Sequence, residues 1–263
     1  MLSVRNISKT FNKGTVNSNK VFEDLSIDIR EGDFITIIGS NGAGKSTLLN
    51  VISGNITADS GEILVKGRDI AKLPEHKRTR FISRVYQNPF LGVAPSMTIL
   101  ENMSLAYNKG QKFGLGRAVT KKNEEMFREM LSTLGLGLED KIHNKVGLLS
   151  GGQRQSIALL MATMIKPQLL LLDEHTAALD PKTSKRVIEL TKEIVDNNKI
   201  TTLMVTHDLN HVIELGNRVI MMHSGEIILD IKDEEKSELT IDKLLDHFDN
   251  ANVMLSDRTL LSN

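Results

Sequence analysis

The most informative part of this 263-residue chain is Gly39-Ser40-Asn41-Gly42-Ala43-Gly44-Lys45-Ser46. It fits the pattern G-x-x-x-x-G-K-[ST], in which backbone N–H groups of a glycine-rich loop surround phosphate oxygens. The apolar run Phe34–Ile38 precedes it and predicts a buried parallel strand. Ser46–Ile52 follows as a predicted helix, and Gly54 is placed to end it. A flexible glycine-rich turn would not need this strand and helix, so we predict a phosphate-binding P-loop.

The residue types in this loop suit a nucleoside triphosphate and a magnesium ion. Lys45 would reach the β- and γ-phosphates, and the Ser46 hydroxyl would coordinate Mg²⁺. The helix that follows adds a partial positive charge at its N-terminus, where the phosphates would lie.

The composition argues against several function classes. Lys plus Arg is 33 and Asp plus Glu is 33, so no net charge favours nucleic acid. The absence of cysteine excludes disulfides and thiolate metal sites. The N-terminal MLSVRNISKTF lacks the apolar core of a signal peptide, and the apolar runs near Ile157–Ile165 and Leu169–Leu172 are too short for a membrane span. We therefore expect a soluble, cytoplasmic chain that reaches a membrane only through a partner.

The N-terminal part of the chain contains two features with more than one interpretation. Residues 2–30 alternate polar and apolar side chains and predict strands joined by the polar hairpin FNKGTVNSNK. Phe11, where this hairpin begins, is either a core side chain or a platform for a nucleotide base, and the residues alone favour the core. A basic cluster follows the P-loop region, and because no aromatic residues alternate with it we expect a solvated face. Its members are Lys77, Arg78, Arg80 and Arg84.

From Gln87 to Leu149 the pattern becomes helical. Thr98-Ile99-Leu100-Glu101 is a capping box that opens one helix, and the amphipathic stretch Thr120–Leu134 predicts another. Residues 103–119 include Gly110, Gly114 and Gly116 and predict a mobile connection. We interpret the whole stretch as a helical insertion.

The segment Leu149-Ser150-Gly151-Gly152-Gln153 has the features of a helix start. Ser150 and Gln153 have capping-box spacing ahead of a long predicted helix. The two glycines leave N–H groups bare at its positive end, which suits a phosphate contact. An ordinary glycine-containing helix start has the same pattern. This segment alone therefore does not show whether the helix start binds phosphate.

Acidic residues and a histidine follow predicted strands in the second half of the chain. Asp173 and Glu174 end the apolar strand Leu169–Leu172, at the edge where α/β sheets bind ligands. Alone such a pair would be solvated surface, but behind a P-loop it is expected to serve a metal ion and a water molecule. His207 follows the predicted strand Thr201–Thr206 and would emerge at the same edge, although a lone histidine is more often structural.

With these motifs in place, the sequence resembles the ATP-binding subunit of an ATP-binding cassette (ABC) transporter up to about residue 248. Five motifs occur in the family's order: GSNGAGKST at 39–47, Gln87, LSGGQ at 149–153, LLLLDE at 169–174, and VTHD with His207. LSGGQ distinguishes this family from other P-loop families, because those families have the first and fourth motifs without it.

The resemblance implies an α/β fold with a P-loop NTPase (RecA-like) core, an antiparallel β subdomain and an inserted ABC α-helical subdomain. Residues 1–86 would form the first part of the core with the β subdomain, and 87–149 the helical subdomain. Residues 150–230 would complete the core, and 231–263 would form a C-terminal helix and tail.

The resemblance also implies roles for individual residues. Glu174 would be the general base, with Asp173 in the Mg²⁺ shell and His207 on the γ-phosphate. Gln87 would sense Mg²⁺ and the γ-phosphate. Two copies would pair head to tail, with each ATP between one P-loop and the other copy's LSGGQ. The ATP contacts would be Phe11, Gly39, Ser40, Asn41, Gly42, Ala43, Gly44, Lys45, Ser46, Thr47, Ser150, Gly151, Gly152, Gln153 and Asp180, which would cross the dimer interface.

The implied partners are a second copy, transmembrane permease subunits and, through the complex, an extracytoplasmic solute-binding protein, at the cytoplasmic face of the membrane. Nucleic acid is not among them. The Met97–Met103 region would help line the groove for a permease helix. Segments such as LSGGQRQSIALLMATM resemble subunits that serve branched-chain-amino-acid-type permeases, which indicates import of an amino acid, with an aromatic one as a candidate. His175 departs from the family, where proline is common after the base.

Two other function classes fit parts of this pattern. One is the ATPase of an ABC exporter, and neighbouring genes would discriminate it, since a solute-binding protein argues for import. The other is a soluble ABC ATPase acting on ribosomes or DNA. Such proteins usually carry two cassettes or a long coiled coil, whereas this chain has one P-loop and zero net charge.

Overall fold

The computed structural model describes residues 1–110 and 119–250, the last two by their backbone only. Contacts divide the chain into two compact units: Met1–Arg78 with the chain from Thr201 onward, and Thr79–Ile200. These boundaries differ from the functional subdomains expected from the family resemblance, which stay a prediction. Residues 111–118 of the predicted mobile connection and 251–263 of the predicted tail lie outside the described residues.

The helices and strands follow the predicted pattern closely. In chain order they are β1 (Leu2–Phe11), β2 (Asn19–Ile29), β3 (Phe34–Gly39), α1 (Lys45–Ser53), β4 (Ser60–Val65), β5 (Arg68–Asp69), α2 (Glu75–Arg78), β6 (Ile82–Val85), α3 (Ile99–Tyr107), α4 (Lys121–Ser132), α5 (Gly151–Thr163), β7 (Leu169–Asp173), α6 (Pro181–Asn198), β8 (Thr201–Val205), α7 (Leu209–Glu214), β9 (Arg218–His223), β10 (Glu226–Lys232), α8 (Asp233–Ser237) and α9 (Ile241–Asn250).

The first unit contains an antiparallel sheet and a second group of strands around β3. The antiparallel sheet has the order β2-β1-β4-β5, and the other strands run β10-β9-β3-β8. Every residue of β3 is buried, and β3 lies parallel to both β8 and β9. A parallel strand covered on both faces has a continuous apolar sequence, which is why Phe34–Ile38 predicted it correctly. Leu244 and Phe248 of α9 complete the core beside Ile38.

Arg78 is buried, so the predicted solvated face is wrong for this member of the basic cluster. Its side chain is among the largest fully buried ones, at 2% exposure. Nη1 donates to the carbonyls of Val51 and Ile52 at 2.7 and 2.9 Å, and these carbonyls belong to the last turn of α1. Carbonyls at a helix C-terminus lack intrahelical donors and favour a cation. Burial lowers the pKa of the Arg78 guanidinium through desolvation.

The second unit places helices beside the parallel strands β6 and β7. The capping boxes predicted at Thr98 and Ser150 are both present. Residues 103–107 belong to α3, so the predicted mobile connection is wrong for that part. Met103 and Ser104 are buried there, and this packing keeps the turn helical. Within residues 1–110 and 119–250, no helix has both the length and the apolar character needed to cross a bilayer.

Candidate nucleotide site

The P-loop connects the buried strand β3 to helix α1. Its backbone includes left-handed residues, among them Gly42 at φ 81° and Gly44 at φ 98°. A Cβ added at Gly44 would lie 2.6 Å from a ring carbon of Phe22, so a side chain there would clash as well as strain the backbone. The chain geometry at this loop therefore requires glycine.

Helix α1 begins without a side-chain cap, since its N-cap residue is Gly44. By contrast, side-chain oxygens of Thr98, Ser150 and Asp180 cap α3, α5 and α6. The Lys45 ammonium donates to the carbonyls of Gly39 and Ser40 at 2.8 and 3.0 Å, within the loop itself. A helix start without a side-chain cap, next to a lysine ammonium, fits the oxygens of a polyphosphate.

Two further predicted site residues belong to the same unit as the P-loop. Because β8 is parallel to β3, His207 follows β8 at the sheet edge where β3 leads into the P-loop, and the Thr206 N–H donates to Ile37 O at 3.2 Å. Phe11 ends β1, where its ring is partly exposed and is not among the buried core residues. The Lys9 ammonium lies 5.5 Å from the ring centroid. The core interpretation that the residues alone favoured is therefore wrong for Phe11.

The second unit brings the two acidic residues and Gln87 to one edge. Val85 of β6 pairs in parallel with Leu172 of β7, so Gln87 and Asp173-Glu174 follow neighbouring strands. Glu174 has φ 47°, a left-handed backbone that costs a non-glycine residue about 1–2 kcal/mol. Its carbonyl accepts from the Ala177 N–H at 3.0 Å, which begins the turn that leads toward α6.

Arg84 pairs with Asp173 and is the second member of the basic cluster that is not solvated. Arg84 Nη2 lies 2.6 Å from Asp173 Oδ2, and the side chains are 8% and 13% exposed. Neighbouring parallel strands hold the two residues, which lie 89 positions apart in the chain.

His175, the departure from the family pattern, ties the segment after Glu174 to α6. Its side chain is buried, and Nε2 lies 3.0 Å from Thr191 Oγ1. The Thr191 hydroxyl donates its proton to Val187 O at 2.8 Å. Nε2 therefore carries a proton and donates to Thr191. This buried contact links the segment after Glu174 to α6.

The LSGGQ segment starts α5 through a complete capping box. Ser150 Oγ accepts from the Gln153 N–H at 3.3 Å, and Gln153 Oε1 accepts from the Ser150 N–H at 3.2 Å. These contacts use the Ser150 hydroxyl as an acceptor, so its proton can still be donated to another group. Asp180 caps α6 by accepting from the Thr183 N–H, and its hydrogen bonds with Thr183 lower the pKa of the Asp180 carboxyl.

Gly152 allows α5 to approach α6. A Cβ added there would lie 1.9 Å from the methyl carbon of Thr183. We expect Gly152→Ala to lower the free energy of unfolding by about 1–3 kcal/mol, because overpacking forces the two helices apart. Chemical denaturation would measure this. In a Thr183→Ala background, which removes that methyl, Gly152→Ala should cost much less, and an equal cost in both backgrounds would contradict the assignment.

Arg154 and Gln155 were not identified from the sequence, although both contact segments of the site. Arg154 Nη2 donates to Leu149 O at 2.7 Å, and its guanidinium carbon lies 3.8 Å from the Phe90 ring centroid. Gln155 is fully buried, and its Nε2 donates to Tyr86 O at 3.2 Å, next to Gln87. The two side chains thus join the start of α5 to the segment around Gln87. The available signal was that polar residues directly precede the apolar run of α5, where Arg154, Gln155 and Ser156 are all buried.

The donor set fits magnesium bound together with a nucleotide. Within the described residues no group of three His, Asp or Glu side chains forms a self-contained metal site. Magnesium usually takes one or two protein oxygens and completes its shell with phosphates and water. The Ser46 hydroxyl in the first unit and the Asp173 carboxylate in the second are each an oxygen of the type that magnesium takes.

Comparisons with known proteins identify a family that this chain matches. The family model described as ABC transporter matches residues 22–177. The tyrosine transport ATP-binding protein of Clostridioides difficile (strain R20291) is 51% identical, over 95% of this chain and 100% of that protein. A methionine import ATP-binding protein of Enterococcus faecalis is 30% identical, over 97% and 78%. A spermidine/putrescine import ATP-binding protein of Spiroplasma citri is 38% identical, over 86% of this chain but 60% of its own length.

Solved structures support the fold. A dimeric ATP-binding cassette in a post-hydrolysis state, bound to ADP and Pi, is 30% identical with a TM-score of 0.75, covering 88% of this chain and 98% of that one. A nucleotide-free cassette from an ABC transporter is 26% identical with a TM-score of 0.73, covering 100% and 97%. The predicted fold class, a P-loop NTPase core with β and helical subdomains, is confirmed by these cassettes.

Proposed function

This chain belongs to the ABC transporter family, and on that premise we propose that it is the ATP-binding and ATP-hydrolysing subunit that powers a membrane importer of a small solute. One observation carries this proposal: the chain combines a P-loop helix without a side-chain cap with the capped LSGGQ helix start. The first suits a nucleotide on its own chain, and the second leaves a hydroxyl donor for another phosphate.

The proposed residue roles follow the chemistry of each group. Lys45 and the P-loop amides bind the phosphates, and Phe11 stacks on the base. Ser46 and Asp173 supply oxygens to the magnesium shell, which neutralises phosphate charge when it is bound. Glu174 accepts the proton of the attacking water, and His207 donates to the γ-phosphate.

A second copy of the chain is the proposed source of the LSGGQ contact. The solved cassette bound to ADP and Pi is described as dimeric, which supports such pairing here. Ser150 and Gln153 at the start of α5, together with the exposed Asp180, are the proposed residues that face the partner copy. Transmembrane permease subunits and an extracytoplasmic solute-binding protein would complete the importer at the cytoplasmic face of the membrane.

An amino acid is the proposed solute class. The relative that is 51% identical is named for tyrosine transport, which favours an aromatic amino acid. The methionine and polyamine relatives share less of their sequence with this chain, at 30% and 38% identity. Uptake of labelled tyrosine in cells that carry or lack the gene would measure this, with labelled methionine and putrescine as competing solutes.

Membrane attachment provides the main test of the proposed function. We expect the chain to sediment with membranes when its permease is co-expressed and to stay in the supernatant when it is not. A matched variant, Lys45→Met, removes the ammonium that is proposed to bind the phosphates, and its sedimentation shows whether attachment depends on ATP binding. Sedimentation in cells that lack every candidate permease would contradict the proposal.

A further inference from the structure

The ion pair between Arg84 and Asp173 lies at the proposed metal-binding carboxylate. Arg84 Nη2 contacts Asp173 Oδ2 at 2.6 Å, and both side chains are largely withdrawn from solvent. Solvent-exposed ion pairs contribute little, but removing one partner of a buried pair leaves an uncompensated charge. The Arg84–Asp173 pair is therefore not an incidental surface contact.

Neighbouring groups hold Arg84 in place. Arg84 is a residue of β6 and pairs in register with Leu171 of β7. The guanidinium carbon lies 4.6 Å from the ring centroid of Tyr86, which directly precedes Gln87. A guanidinium stays charged at any physiological pH and keeps a planar geometry. Asp173 thus has a positive partner fixed by the same strand that leads to Gln87.

We propose that Arg84 is the built-in counter-ion of Asp173, orienting the carboxylate before the metal arrives and weakening Mg²⁺ binding by competing for it. This inference rests on the proposed role of Asp173 in the magnesium shell. The guanidinium repels Mg²⁺ and also occupies oxygens of the Asp173 carboxylate that Mg²⁺ would bind. Mg²⁺ therefore binds well only when the nucleotide phosphates add their negative charge. The pair would make metal binding dependent on nucleotide.

The main experiment removes the charge of Arg84 and titrates Mg²⁺ into the full-length protein with a fluorescent ATP analogue already bound. Arg84→Met keeps an unbranched stem without charge, and Arg84→Lys keeps the charge. We expect Arg84→Met to bind the nucleotide in EDTA as wild type does, and to bind Mg²⁺ on the order of tenfold more tightly. Arg84→Lys should stay close to wild type. Unchanged or weaker Mg²⁺ binding in Arg84→Met would overturn the proposal.

Thermal unfolding gives a second readout that a purely structural ion pair would not produce. Arg84→Met should lower Tm in EDTA, because Asp173 loses its counter-ion. The deficit should shrink in Mg²⁺ with ATP, since tighter ligand binding stabilises the folded state more. An equal deficit in both conditions would indicate a structural role alone and contradict the inference.

A third measurement uses the wild-type protein, so it does not require the uncharged variant Arg84→Met to fold. In ¹⁵N-arginine-labelled protein with nucleotide bound, the Arg84 guanidinium resonances, assigned with Arg84→Lys, should shift when Mg²⁺ is added. Resonances that do not respond would contradict the proposal. Asp173→Asn separates the proposed role of Asp173 from the inference about Arg84. If Asp173→Asn leaves Mg²⁺ affinity unchanged, the proposed role of Asp173 fails. If it weakens Mg²⁺ binding while Arg84→Met has no effect, only the present inference fails.

Discussion

Glu174→Gln slows ATP hydrolysis at least about a hundredfold and leaves ATP binding close to wild type, if Glu174 is the general base. General-base help is worth about 10²–10⁴-fold in rate. Glutamine keeps the shape and a hydrogen-bonding oxygen, and it meets the same left-handed backbone at φ 47°. Only the basicity is lost, and this blocks hydrolysis. The ATP-bound dimer should therefore accumulate.

Hydrolysis rates and size-exclusion profiles in Mg²⁺ with ATP would measure both effects. Glu193→Gln makes the same chemical change on the exposed face of α6 and should behave as wild type. Asp173→Asn should differ, with weaker Mg²⁺-dependent nucleotide binding as well as slow turnover. Turnover of Glu174→Gln within a fewfold of wild type would place the base elsewhere, and His207 would be the next candidate.

Ser150→Arg should leave nucleotide binding by the P-loop largely intact and block both dimer closure and turnover. The hydroxyl that caps α5 is also the proposed donor to the partner's nucleotide, and a long cation cannot take its place. Losing the cap alone costs about 0.5–2 kcal/mol of stability, which does not account for a full loss of turnover.

The matched control for this variant is Ser150→Thr, which keeps the cap and the hydroxyl and should retain closure and turnover. Nucleotide affinity is measured at protein concentrations where the chain is monomeric, and closure by size exclusion with ATP. Reduced ATP affinity of the Ser150→Arg monomer, with closure unaffected, would show that LSGGQ acts on the P-loop of its own chain.

Local signals in the sequence were sufficient for most elements. The continuous apolar run before Gly39 determined β3, and capping residues determined where α3 and α5 begin. These features depend on hydrogen bonds and side-chain periodicity over a few neighbouring residues, and one chain segment contains all of that information. The same is true of the P-loop, whose motif needs only the strand before it and the helix after it.

Neighbouring residues in the sequence were enough to predict the P-loop, the capped LSGGQ helix and the acidic pair at the end of β7. Which polar residues are buried, and what they contact, depends on tertiary packing. Arg78 and Arg84 belong to one basic stretch, yet one binds the C-terminal carbonyls of α1 and the other binds Asp173. Gly152 meets Thr183, and Gln155 meets Tyr86. The physical reason is that a buried charge or a close approach depends on partners many residues away, which no local pattern records.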